Sequence, residues 1–179
     1  MPPTPNCGLL VSAAVLATLT LPSAAFSQYR LPTITSVAKA DSIHASAIDM
    51  ARNYNRWRDA ARLHRQSAAL RPPEDSLGYR CLVKAAHLSY GKQDLMNAQS
   101  DMADAAAQAL ARGDVEKAAL AYADAAWVAN ERKRQGEVLT LARQAEVLAS
   151  SPLLSGKQRS GILGRFVHTG PELAAQASR

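Results

Sequence analysis

The chain has 179 residues, a net charge of +6, 47% hydrophobic residues and only 5% aromatics. Much of the apolar mass is alanine, the strongest helix former, which excludes a thick aromatic-filled sandwich and favours one domain of thin helix-on-helix contacts. The positive charge is spread along the chain without a block of five like charges, which reads as solvated helix faces, with an acidic protein surface or anionic lipid as the partner the charge would suit.

From Gly8 to Leu21 the chain carries no charge and is rich in Leu, Val and Ala; Pro22 ends the run, and Ser23, Ala25 and Ser27 follow at cleavage-compatible spacing. Residues 1–27 therefore read as a secretory signal peptide, although Met1 to Cys7 contains no Lys or Arg. The run is short for a membrane span, which needs about 20 apolar residues. The expected location is periplasmic or secreted, the alternative being an uncleaved N-terminal membrane anchor. Cys7 precedes the apolar run and follows Thr4-Pro5-Asn6, which is no lipobox. Signal removal leaves Cys81 without an internal disulfide partner, and its helical neighbours Leu77, Ala85 and Leu88 predict a buried, inert thiol.

Residues 28–40 read as an extended lead-in. Asp41-Ser42 resembles an N-cap, and a first helix follows to about Asn55, with Ile43, Ala47, Met50, Ala51 and Tyr54 on its apolar face. A second helix starts near Trp57 and stops before Pro72-Pro73. Asp75 or Ser76 caps a third, ending at Tyr90-Gly91, where Gly91 suits a left-handed position and Asp94 caps the fourth. Gly113-Asp114 repeats that punctuation, with Arg112 and Asp114 complementing the two helix dipoles. A fifth helix runs from Val115 to about Lys133, Gly136 marks the next turn, and a sixth closes at Ala149 before Ser150-Ser151-Pro152. A short seventh starts near Ser155 and reaches about His168; its Ile162, Leu163 and Phe166 would cover the end of a stack, which in repeat arrays has no neighbour of its own. Residues 169–179 read as a disordered tail.

One pattern recurs through these helices. An apolar residue is followed by small or apolar residues three, four, ten and eleven positions later: Trp57 by Ala60, Ala61, Ser67 and Ala68; Leu95 by Ala98, Gln99, Ala105 and Ala106; Val115 by Ala118, Ala119, Ala125 and Ala126; Val138 by Leu141, Ala142, Leu148 and Ala149. These offsets keep to one face of an α-helix, and alanine there lets backbones approach. The reading is all-α, antiparallel helical hairpins stacked on one another, with helix starts about every 20 residues and a hairpin period near 40, in the range of helical-pair repeats.

The segment from Trp57 to Pro72 resembles the second helix of a tetratricopeptide repeat. Trp57, Ala60, His64, Ser67 and Pro72 stand where that family carries a bulky residue, a small residue, an aromatic, a second small residue and a closing proline. Gly113-Asp114 followed by Ala118, Ala119 and Tyr122 has a similar cast. The first helices lack the family's Trp, Leu-Gly and Tyr series, and the period exceeds its 34 residues. The resemblance implies a short right-handed solenoid over residues 41–168 with a C-terminal capping helix. It also implies that inner helices starting near Asp41, Asp75 and Asp114 line a groove for peptides. Carried over to this chain, the groove positions are Asp49, Arg52 and Asn53, then Tyr79 and His87, then Tyr122; a core role competes for both tyrosines.

Chemistry is sparse. His44, His64, His87 and His168 show no pair at metal-binding helical spacing, and no phosphate loop or nucleophile elbow occurs. His64 reads as a core histidine, and Asp101 with Asp104 as a solvated face. No catalytic, cofactor or metal residue is expected, and the chain is not read as an enzyme. The densest polar cluster is basic: Arg52, Arg56, Arg58, Arg62 and Arg65, with Arg58, Arg62 and Arg65 aligned on one helix face. Bidentate guanidinium suits carboxylate or phosphate. The expected function is an exported protein–protein adaptor or scaffold that holds a partner segment, acidic residues being selected by these arginines. The alternative is a membrane-tethered module with its basic face near anionic lipid. Nucleic acid is disfavoured by export and by the scarcity of aromatics beside the basic residues.

Overall fold

The computed structural model describes residues 34–166. Within them lie α1 (Ile34–Ala51), a 3-10 turn (Tyr54–Arg56), α2 (Trp57–Ala69), α3 (Ser76–Tyr90), α4 (Leu95–Ala111), α5 (Val115–Glu131), α6 (Gln135–Ala149) and α7 (Gly156–Phe166). No strand occurs among the described residues, and no helix among them is long and apolar enough to cross a membrane. The signal segment and the tail after His168 lie outside the described residues.

Short connections make successive helices antiparallel neighbours, and contacts between helices two apart sort them into two layers. On one side the Cys81 Sγ of α3 meets the His44 Nδ1 of α1 at 3.3 Å. In the same layer the Tyr90 and Trp127 rings touch between α3 and α5, and Arg165 of α7 pairs with Asp124 of α5 at 2.5 Å. On the other side Arg65 of α2 pairs with Asp101 of α4, and Gln99 of α4 donates to Glu137 of α6. The molecule is thus an all-α stack of helical hairpins with an odd-helix layer and an even-helix layer.

Alanine is what lets the layers close. In α5 the offsets from Val115 place Ala118, Ala119, Ala125 and Ala126 entirely out of solvent. Ala121, Ala123 and Ala129 are buried as well, because α5 has neighbours on nearly every side. The matching positions Ala98, Ala105 and Ala106 of α4, and Ala60, Ala61, Ser67 and Ala68 of α2, are buried too. Side chains this small leave no room for additions. Ala106→Leu, in the cluster with Cys81, Leu82 and Ala121, is expected to cost about 1–3 kcal/mol by overpacking, read as a fall in the urea midpoint at unchanged helicity.

The turns depart from expectation in informative ways. Three of them recur at a spacing of 20 residues, with Gln93, Gly113 and Lys133 all at positive φ. The following amides of Asp94, Asp114 and Arg134 donate to the carbonyls of Ser89, Ala109 and Ala129. Only Gly113 is the residue that conformation favours. Gly91, expected to be left-handed, is instead right-handed at φ −61, and Gly136 lies inside α6 rather than in the turn. The α3–α4 connection has four residues and the next two have three, and in each the reversal falls one position before the next cap rather than directly after the helix. Asp75 caps α3 by accepting from the Leu77 amide, and Asp114 accepts from the Lys117 amide.

The expected lead-in is overturned over residues 34–40, which are the first turns of α1. Ala40 and Ala47 lie seven apart, both fully buried on one stripe, so packing carries the helix back past Asp41. Asp41 is therefore not a cap; its carboxylate receives a hydrogen bond from Arg71 instead. At the other end Ile162 is fully buried against Ala119, Ala149 and Leu154, closing the stack as expected, whereas Leu163 is exposed.

Candidate functional site

The basic cluster of α1 and α2 is largely spoken for within the chain. Arg52 pairs with Asp49 in the open, while Arg56 and Arg62 share Asp59. Arg58 lies over the Trp57 ring at 5.1 Å. Asn53 accepts from the Asn55 amide and so starts the 3-10 turn. The exposed pairs contribute little to stability, and Arg56, Arg58 and Arg62 stay exposed. Arg65 departs from them. It turns inward, donating from Nε and Nη2 to the two oxygens of Asp101 at 2.7 and 2.8 Å, with Ser89 at 3.0 Å. Asp101 is buried rather than part of a solvated face. The aligned arginine face thus reduces to Arg58 and Arg62.

The groove positions divide differently. Tyr79 and His87 sit on α3 with Val83 and Tyr90 at successive helical turns, forming one stripe in the odd layer. Tyr79 lies under the Arg112 guanidinium at 5.4 Å, and Tyr90 meets Trp127 of α5 at 4.8 Å between ring centroids. Asp124, one turn before Trp127, holds Arg165 of α7. Burial pushes Tyr79 above the usual phenol range, with the Asp124 and Asp114 charges adding to it. Burial likewise raises the Asp124 carboxyl, against the pull of Arg165 and His87. Tyr122 stands about 140° around α5 from Trp127, packed on the Ala68–Cys81–Ala105 cluster with Asp104 as its charged neighbour. Tyr79 and Val83 pack on the same cluster, so it is direction around α5 rather than depth that sets Tyr122 off that stripe. Sequence reasoning missed Tyr90, Arg112, Asp124, Trp127 and Arg165; the offsets of eleven residues from Tyr79 and seven from Val83 to Tyr90 were the available signal.

A second constellation joins α1, α2 and α3. One ligating atom from each of His44, His64 and Cys81 lies within 4.8 Å of the others. The His44 and His64 rings are 5.3 Å apart at 57°, and Cys81 Sγ is 3.3 Å from His44 Nδ1 and 3.6 Å from Ser67 Oγ. Ser67 is held in turn, donating to the Ala40 carbonyl at 2.8 Å and accepting from Arg71. Burial, reinforced by His44 and Lys84, pulls His64 down to about 4. Burial and Arg71 lower His44 against the pull of Asp41. Burial pushes the Cys81 thiol up, although Ser67 and Arg71 oppose it. Both imidazoles and the thiol are therefore neutral at pH 7. Cys81 is buried, as expected, but not isolated. No spacing rule within one helix could reveal the trio, since three helices supply it. Ala40, His44 and Ala47 do share one stripe of α1, which is the local trace of it.

Family models, curated proteins and solved structures were each compared with the chain, and none matches.

Proposed function

We propose that this is an exported interaction scaffold, a tetratricopeptide-like stack that binds a protein segment along its odd-helix layer. The observation that carries the reading is the row of aromatic and arginine side chains there: half-buried Tyr79 under Arg112, half-buried Tyr90 against Trp127, and exposed Arg165 beyond them. Tyr, Trp and Arg dominate binding energy at protein interfaces, the aromatics because they bury large area with few rotamers to freeze and Arg through its planar, multiply donating guanidinium. The stack leaves these groups partly open while its own core is made of alanine. Exposed Arg58 and Arg62 lie on α2, in the other layer, and are not part of this surface.

A photo-crosslinking amino acid tests this when placed at His87, exposed on α3, or at Arg143, exposed on α6 of the other layer. The expected result is one discrete protein adduct from position 87 and none from position 143. Equal labelling from both positions would discard the odd-layer surface. The same sample reports the N-terminus. Cleavage near Phe26 or Gln28 agrees with export, whereas an intact N-terminus in the membrane pellet favours the tethered alternative.

A further inference from the structure

We infer that His44, His64 and Cys81 form a binding site for a soft monovalent d10 metal ion, Cu(I). The site is composed of two imidazoles and one thiol brought together by three helices. All three atoms fall within 4.8 Å of one another, and the Sγ–Nδ1 separation to His44 is 3.3 Å. Ligands on one small metal ion, with bonds near 2.1 Å to nitrogen and 2.3 Å to sulfur, stand roughly 3.5–3.8 Å apart. The Sγ–Nδ1 edge, a hydrogen-bond contact, would open by a few tenths of an ångström and the others close by about 1 Å, both within side-chain reach.

An independent observation points the same way. His64 is 2% exposed, yet its Nδ1 has no hydrogen-bond partner among the described residues. Buried polar atoms are nearly always satisfied, and an exception calls for a ligand, water or ion. Here the orphan nitrogen belongs to the ring that lies tilted at 57° to that of His44.

Ligand number and softness select the metal. The trio offers three ligands where a closed Zn(II) site takes four, and a thiolate with a monovalent cation is neutral, so the ion adds no net charge beside Arg71, whose own charge Asp41 and Asp75 already meet. Thiolate with imidazole is also a donor set that soft Cu(I) prefers, and no carboxylate joins the trio. On binding, the Cys81 S–H bond breaks, the sulfur pair bonds to the metal, and the proton leaves to solvent, about one per ion.

The test uses the purified chain under anaerobic conditions against a colourimetric Cu(I) chelator, with unbuffered proton release recorded in parallel. The expected result is transfer of one Cu(I) per chain. Affinity should fall by about tenfold or more in His44→Ala and in Cys81→Ser, and stay unchanged in His87→Ala, which lies outside the trio. Circular dichroism monitors folding; His44 is half-buried, so its variant carries the test if Cys81→Ser unfolds. X-ray absorption at the copper edge should show two nitrogen scatterers and one sulfur. The site is overturned if the chelator keeps the copper, or if folded His44→Ala binds as tightly as the parent. The monovalent assignment is overturned if equimolar Zn(II) displaces the copper.

Discussion

Replacing Arg65 by alanine is expected to destabilise the stack by about 3 kcal/mol, more than any exposed arginine would, because it strands a buried carboxylate. Asp101 keeps 4% of its side-chain surface in solvent and takes both of its strong hydrogen bonds from Arg65. The pair itself is not a large source of stability. Burial pushes the Asp101 carboxyl above its usual range, and Arg65 only partly offsets this. The double variant Arg65→Met with Asp101→Leu should therefore recover most of the loss, which a double-mutant cycle in urea would read directly. The pH dependence follows from the raised value. Such a group holds its proton more tightly in the folded state, so its contribution is full below the unfolded pKa and falls as pH rises through the folded one. The Arg65→Ala deficit should accordingly shrink at about pH 4, where the stranded carboxyl is largely protonated. A deficit that stays constant with pH, or a double variant no better than the single, would show that the pair is not what joins α2 to α4.

Arg71→Met is expected to cost a similar amount, about 3 kcal/mol, and its deficit should also shrink in acid, here because the parent itself loses stability. The Arg71 side chain is 2% exposed and donates to Asp75 at 2.6 Å and to Asp41 at 2.5 Å. It thereby ties the end of α2 to α1 and to the start of α3. Burial acts to raise Asp75, but the hydrogen bonds from Arg71 and the Leu77 amide outweigh it and hold the carboxyl below its usual range. A lowered group contributes stability that is present above its unfolded pKa and is lost as pH falls through the folded one. The parent should thus lose stability as pH drops below about 4, and Arg71→Met should show a shallower acid slope. Hydrogen exchange would locate the damage: amides of α1 and α2 should lose protection before those of α5. Uniform loss across the stack would contradict a local tie.

These two arginines show where reading the chain stopped. The alanine offsets identified helix faces well, because period 3.6 is a local property and small residues on one face have few uses other than close packing. His64, Cys81 and Ile162 were legible as interior for the same reason. Arg65 and Asp101 read as surface because charged residues usually are; Asp101 is buried, and Arg65 half-buried, only by virtue of the other, 36 positions away. The turn residues misled through glycine, since Gln93 and Lys133 adopt positive φ that only the reversal geometry demands. The odd-layer stripe was half legible: Tyr79 and His87 were visible on α3, but their partners Arg112, Asp124 and Trp127 come from later helices.

By itself the sequence determined that the chain is helical, where most helices lie and which face of each is apolar, because propensity, caps and periodicity act within a turn or two of the backbone. Only the tertiary structure decided which charges are buried, which aromatics share a surface, and that His44, His64 and Cys81 meet. Those are contacts between residues 20 to 41 positions apart on different helices, and their distances depend on how closely alanine lets the helices approach.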